Sequence, residues 1–463
     1  MRIWLSVMMI MALSSGARPD EDAGAIASTQ EQIMMPARVL LPGQEPVTIE
    51  ALIIESAPPV FHLKGNVEIA QGRKRFLSEE ATYNSKNNTG VLKRATFTTC
   101  EKEHPDYRIT AEEIRLTSGQ RLKIRRPRIY LGSICLISLP SLSLKTGAGA
   151  GQQALFPSPG LDSNDGFSLT TSYPIMDTDR SYTDLRVRLT TKQGIQGGLA
   201  GGYAIGGSTR LISPFVPDFD MELRRSMVLR PIVEEYPTGK PDPPLLAAFV
   251  GLLSRERLYD INNRSLHVSR LPEVGIRYVS PRICVLDQDE GLTRLSPQFQ
   301  GRASWGRFKE MPDGSSIGRW DVRGTVTTTL AVLGRGTSLR GVGMARYSSY
   351  NSGNSYRTLG AALDASHVFS GGSFASVRFI VHNIHGLTPF EFDDIDIPRE
   401  LQVSGRYIRG KNKYDILLDY DVNEGLIRDW QLSFTRTMHC LEPTITWRNR
   451  FKQINLSIGV LGL

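Results

Sequence analysis

The chain has 463 residues, 40% of them hydrophobic, with 43 glycines and a formal charge of +8. That is ample length for two domains, and no residue class is extreme enough for wholesale disorder. The basic residues are scattered, with no run denser than RKR at 73–75, which argues against a nucleic-acid partner and fits an anionic lipid headgroup.

The opening MRIWLSVMMIMALSSGA has the parts of a secretory signal: Arg2, an apolar core from Ile3 to Leu13, and the small-residue site Ser15-Gly16-Ala17. The apolar run is too short to span a bilayer, and no later stretch offers about 18 consecutive apolar residues, so no membrane helix is expected after it. Residues 1–17 are assigned to the signal. Residues 18–46, rich in Ala, Gln, Glu and Pro, read as a flexible leader.

From Val47 the hydrophobic period is two. Val47, Ile49, Ala51 and Ile53 share a face, and Phe61, Leu63, Val67 and Ile69 follow after Pro58-Pro59. The turn signal NSKNNTG (84–90) leads to Val91, Ala95 and Phe97, and then come YRITAEEIRL, RLKIRRPRIYL and ICLISLPSLSL. Residues 47–145 are therefore expected to form one folded sheet or jelly roll with an apolar inner face. Alternation alone does not separate a packed core from an open, V-shaped groove.

Residues 146–166 shift to Gly, Ala, Ser, Pro and Gln and read as a linker. From 167 to 463 the alternating runs lengthen, as in LLAAFVGLLSRERL and RWDVRGTVTTTLAVLG, to what a tilted membrane strand requires. Polar residues alternate with Leu, Val, Ile and Phe, as a wet lumen and a lipid-facing wall demand. Tyr173, Trp320, Tyr347, Trp430 and Trp447 fall near run ends, where an interfacial girdle would place them. The expected fold is all-β: an N-terminal sheet domain followed by an antiparallel transmembrane barrel of about 16 strands in the outer membrane.

Four cysteines, Cys100, Cys135, Cys284 and Cys440, stand far apart with no CxxC pair. In an exported chain they favour one or two long-range disulfides, with three full connectivities open. Cys135 and Cys284, in apolar SICLI and RICVL, read as inert buried thiols or a second bridge. There is no GxSxG, HExxH, P-loop or GxGxxG before a helix, so neither a cofactor nor a catalytic centre is expected. His382 and His385 would face opposite sides of a strand, which argues against a shared metal. His267, His367 and His439 have serines nearby in sequence, but no spacing singles one out. Glu391, Asp393, Asp394 and Asp396 read as a solvated acidic loop, with a divalent ion as the sharper alternative.

GNVEIAQG (65–72), TYNSKNNTGVLKRATFTTC (82–100) and PDYRITAEEIRL (105–116) resemble the grooved periplasmic domain of the lipopolysaccharide-assembly outer-membrane translocon family (OstA-like). RIYLGSICLISLPSLSL (128–144) is similar to that family's last strands before the barrel, and RLPEV (270–274) and HNIHGLTPFEFDD (382–394) resemble its barrel signatures. The resemblance implies a protein that receives lipopolysaccharide from a periplasmic bridge protein of OstA-like fold and holds its acyl chains in the groove. It would then pass them to the outer leaflet between the first and last barrel strands. A plugging outer-membrane lipoprotein is the further partner implied, although a barrel this short has a narrower lumen than the family's.

On that resemblance Phe61, Leu63, Val67, Ile69, Val91, Phe97 and Ile109 become candidate acyl-chain contacts. Cys100, at the end of FTTC, matches one family cysteine and Cys440 the C-terminal barrel cysteine, which implies a Cys100–Cys440 bridge. Closing so long a loop would contribute up to about 5 kcal/mol in the chain-entropy model. Pro174 interrupts the expected first barrel strand, SLTTSYPIMD, and removes a ladder donor. It reads as a weak lateral gate or, equally, as a strand-end proline. A general porin and a lipid-modifying barrel enzyme are the competing functions.

Overall fold

The computed structural model describes residues 31–33, 37–41, 47–145 and 156–461, except 88, 103, 118–120, 164, 179, 207–244, 259–265, 282–296, 312–313, 334–335, 396 and 451. The expected signal segment, Cys284 and Asp396 lie outside the described residues.

Twelve strands build the N-terminal sheet. They are β1 (Glu31–Ile33), β2 (Ala37–Leu41), β3 (Val47–Ala51), β4 (Ile53–Ala57), β5 (Val60–Gln71) and β6 (Lys74–Asn84). β7 (Thr89–Thr98), β8 (Tyr107–Thr117), β9 (Arg121–Arg125), β10 (Arg128–Leu131), β11 (Ile134–Ser138) and β12 (Ser141–Lys145) complete it. Every pairing in it is antiparallel, with consecutive long strands as neighbours, as short turns require. The segment read as a flexible leader contributes β1, paired with β4, and β2, paired with β3, so the sheet begins before Val47. A strand of three to five residues beside prolines carries too little alternation to show in sequence.

The inner faces of this sheet meet in one apolar core containing Ile49, Leu63, Phe76, Leu92, Phe97, Ile109, Ile114, Leu122 and Ile129. The long strands change phase partway along. In β7, Ala95 and Phe97 point inward near one end but Leu92 does so near the other, with Arg94 in the left-handed region (φ 48°) between them. β8 repeats the shift, from Tyr107 and Ile109 to Ile114.

Sixteen further strands close into an antiparallel barrel. They run β13 (Ser158–Asp162), β14 (Gly166–Asp177), β15 (Ser181–Thr190), β16 (Gly194–Gly206), β17 (Leu245–Leu258) and β18 (Leu266–Val279). Then come β19 (Gln298–Met311), β20 (Ser316–Leu333), β21 (Thr337–Tyr350), β22 (Ser355–Val368) and β23 (Phe374–Gly386). The last are β24 (Arg399–Arg409), β25 (Asn412–Asp421), β26 (Leu426–Arg436), β27 (Leu441–Arg448) and β28 (Gln453–Val460). The first barrel strand, β13, lies inside the expected linker, because SPGLD looks like a turn and not a strand.

The wall is inverted relative to a soluble protein. Its outward side chains are Val250, Leu252, Ile276, Val322, Val326, Leu359, Phe379, Ile416 and Ile445, all exposed. Its inward ones are Arg270, Glu273, Asp321, Arg323, Arg346, Asp364, Arg378 and Gln402, all buried. A closed barrel with an apolar exterior and a polar interior satisfies its backbone internally and is the architecture of an outer-membrane protein. Trp320 and Tyr347 are exposed as girdle residues should be, and Trp430 and Trp447 are half-buried. Tyr173 departs from the girdle expectation: it is buried in the core shared with the N-terminal sheet.

Candidate functional site

The sheet core does not stop at the sheet. It runs on through Phe156, Tyr173, Cys440, Leu441 and Val460, which belong to the barrel's near end, the end bearing the N-terminal sheet. β12 packs against β14 there. Cys100 and Cys440 are joined by a disulfide, with Cα atoms 5.3 Å apart and a sequence separation of 340. Beside it the Thr99 hydroxyl donates to the Leu461 carbonyl at 2.6 Å. The buried Tyr107 hydroxyl accepts the Thr99 N–H at 3.0 Å, and its ring meets Phe156 edge-on at 6.1 Å. Burial pushes the Tyr107 phenol up to about 12.

This junction sits under the weakest part of the barrel wall. β28 pairs with β27 over eight positions, from Leu441↔Val460 to Arg448↔Gln453. On its other side it meets β13 at Gly160↔Asn455 and Leu161↔Ile454 only. β13 ends toward the sheet at Ser158, paired with Thr170. Toward the sheet, among the described residues, 171–177 of β14 and 456–460 of β28 share no ladder pairing, while β12 packs against β14 and Tyr173 and Val460 lie in the same apolar core. The backbone ladder of the seam is therefore interrupted on the side nearest the sheet. Gly160 sits close at the surviving contact: a Cβ there would make the Asn455 and Ser168 side chains move aside.

Pro174 is placed differently from the expectation. It lies on the second barrel strand, β14, within the stretch that has no seam-side ladder partner, and a register shift against β15 occurs beside it. An edge is where a strand tolerates a missing N–H.

Of the seven expected acyl-chain contacts, Phe61, Leu63, Val67, Ile69, Phe97 and Ile109 line the sheet core, each no more than 7% exposed. Their burial leaves no open groove between them; Phe76 and Phe97, neighbours on the paired strands β6 and β7 with ring centroids 5.0 Å apart, are both sealed inside this core. Val91 does not join them. The phase change at Arg94 gives the inward position to Leu92, which is fully buried, and leaves Val91 half-buried on the other face.

Inside the lumen lies a group of residues that sequence reasoning placed in solvent. The β23–β24 connection turns inward through Glu391–Asp393, and Asp393 is buried. Its Oδ1 accepts from Arg319 and, at 2.5 Å, from Arg346, while Oδ2 accepts from the Tyr350 hydroxyl at 2.9 Å. Phe390 and Phe392 flank it and pack on Phe308, whose face carries the Arg319 guanidinium at 4.0 Å. Asp321 receives Arg323, Arg346 (2.8 Å) and Ser348 (2.6 Å) next to this group. The signal in sequence was the pair of phenylalanines around the acidic residues, which a solvated loop has no use for. Cys135, expected to be a buried inert thiol or part of a second bridge, is exposed on β11 as a free thiol.

His382 is buried toward the lumen and His385 faces outward, on opposite sides of β23. His267 sits against Gln196 (3.0 Å) and Asp165 (3.4 Å), and His367 against Thr337 (2.7 Å).

No family model and no curated protein matches this chain. Among solved structures, a triple mutant of Rhodopseudomonas blastica porin is similar at 10% identity, covering 66% of this chain and 96% of that one with a TM-score of 0.30. The anion-selective porin from Comamonas acidovorans is 7% identical over 87% of this chain and 95% of its own, with a TM-score of 0.26. Outer membrane phospholipase A from Escherichia coli is 13% identical over 41% of this chain and 77% of its own, with a TM-score of 0.22. At these scores none of the three transfers a function to this chain.

Proposed function

We propose that this protein is an outer-membrane lipid translocon of the OstA-like kind, without catalytic chemistry of its own. It takes lipopolysaccharide from a periplasmic bridge protein into the sheet and inserts it into the outer leaflet through the β13–β28 seam. The observation that carries this reading is the continuity of one apolar core from the sheet to the half of that seam where the ladder is interrupted. A diffusion pore has no need of either feature.

The closed core defines the loading step. Acyl chains enter by parting a core that is sealed in the resting state. A dozen methylenes transferred at about 0.8 kcal/mol each supply roughly 10 kcal/mol toward that separation. The Cys100–Cys440 bridge keeps the exit of the core in register with the seam throughout. Whether a lipoprotein occupies the lumen is secondary, since the inward β23–β24 connection already fills part of it.

Photo-crosslinking residues at Leu63 and Phe97, and a Leu161→Cys/Ile454→Cys pair across the seam, test the proposal. Directly opposed strand residues lie within disulfide reach. The expected result is labelled lipopolysaccharide adducts at both core positions, which accumulate when the seam is locked. Adducts absent from a well-expressed protein, or unchanged surface delivery with the seam locked, overturn it. The polar lumen favours a second reading, a general porin. Steady ion conductance with no lipid adduct would select that one.

A further inference from the structure

Among the described residues of the N-terminal sheet, β11 departs from the burial pattern. In β3 to β10 and in β12 each strand carries buried residues. Along β11, Ile134 (65% exposed), Cys135 and Leu136 (38%) are uncovered on both faces. β11 is also the terminal strand, and among the described residues it pairs with β10 alone, leaving its outer edge without a partner in the sheet. A hydrophobic, unpaired edge strand invites aggregation unless something covers it.

The position of the hairpin identifies the cover. Its tip is tied down at Gly132, whose N–H donates to the Asp106 carbonyl at 2.7 Å and whose carbonyl accepts from Arg108 at 2.7 Å. The Asp106 carboxylate in turn lies 3.5 Å from the Cys440 sulfur, on the near-end turn of the barrel. The hairpin tip is therefore linked, through Asp106, to the barrel's near end at Cys440. Around it stand an aromatic and cations: Arg108 lies over the Tyr130 ring at 4.5 Å, and Arg128 is exposed at the hairpin's base. Apolar tip, tyrosine and arginines together form the pattern of a segment seated at a membrane interface.

We infer that the β10–β11 hairpin inserts edge-on into the periplasmic leaflet of the outer membrane, at the boundary between anionic phospholipid headgroups and acyl chains. Arg108 and Arg128 pair with lipid phosphates while Ile134, Cys135 and Leu136 enter the acyl region. The unpaired edge of β11 limits the depth. Its free N–H and C=O groups remain within reach of headgroups and water, since burying them in hydrocarbon would cost several kcal/mol each. This inference stands on the barrel's membrane placement and does not require the translocon reading.

Cys135 is itself the probe. The full chain carrying Cys284→Ser is labelled at Cys135 with an environment-sensitive fluorophore. It is then placed in vesicles of phosphatidylethanolamine and phosphatidylglycerol, with heat-modifiable migration confirming the folded barrel. A second labelled variant, Lys86→Cys with Cys135→Ser and Cys284→Ser, reports from the exposed β6–β7 turn. The expected result is loss of most Cys135 emission to acyl chains brominated near the carbonyl, less loss to chains brominated near the methyl end, and shielding from aqueous iodide. The Lys86→Cys label should show the reverse. Replacing phosphatidylglycerol by phosphatidylcholine should weaken the bromolipid quenching. Iodide quenching of Cys135 without bromolipid quenching overturns the inference, and so does protection from both, which would mean a protein covers the strand.

Discussion

Asp393→Asn removes one negative charge from the centre of the lumen network. In the native protein one oxygen of Asp393 takes both Arg319 and Arg346, and the other takes Tyr350. All four side chains are buried. Truncating one partner of such a buried charged group costs about 3–5 kcal/mol, because the remaining guanidinium groups keep their desolvation penalty without the carboxylate. That energy is what holds the β23–β24 connection inside the barrel. At 1.4 kcal/mol per decade, the population with the connection released rises by roughly 10²- to 4 × 10³-fold. In planar bilayers the variant should show frequent large conductance steps where the native protein shows rare ones. Glu391→Gln, which alters an exposed neighbour, should behave as the native protein. An unchanged conductance record for a folded Asp393→Asn barrel would refute the argument that this carboxylate is the latch.

Three further outcomes follow from the junction and the sheet. Leu92→Ala should destabilise the N-terminal sheet by about 2–5 kcal/mol in chemical denaturation, and Val91→Ala by well under half as much, because only Leu92 points into the core. Gly160→Val should crowd Asn455 and Ser168 at the surviving seam contact, lowering the temperature at which the barrel loses its heat-modifiable migration. Tyr107 makes the junction sensitive to alkali. Its folded value of about 12 lies above the ordinary tyrosine value near 10, so its contribution is fully present below pH 10. That contribution is lost as pH rises toward 12. It amounts to about 3 kcal/mol, at 1.36 kcal/mol for each unit of the raised value. Tyr107→Phe should abolish that slope in thermal unfolding measured against pH, at the cost of the two bonds to Thr99.

The alternation of residues made the barrel and the sheet readable, since lipid on one side and water on the other impose a period of two for hundreds of residues. What escaped were the places where that period is broken on purpose. β13 carries Pro159 and Gly160, and those residues signal a turn to any local reading. The bend at Arg94 exchanges Val91 for Leu92, and a positive φ at an arginine leaves no trace in sequence. Asp393 was assigned to solvent because an acidic cluster usually is; its partners lie 74 and 47 residues away, on β20 and β21. Tyr173 and Pro174 were read against a wall whose first strand had been missed, so both received the wrong neighbours.

The covalent link between Cys100 and Cys440 ties an early segment to the turn before the last hairpin. In the folded protein the two sulfurs meet because the ribbon of strands has come round and set the turn between β26 and β27 beneath the sheet. The bridge thus acts as a clasp that holds the closing end of the ring to the sheet. Reduction should loosen that hold without opening the rest of the wall.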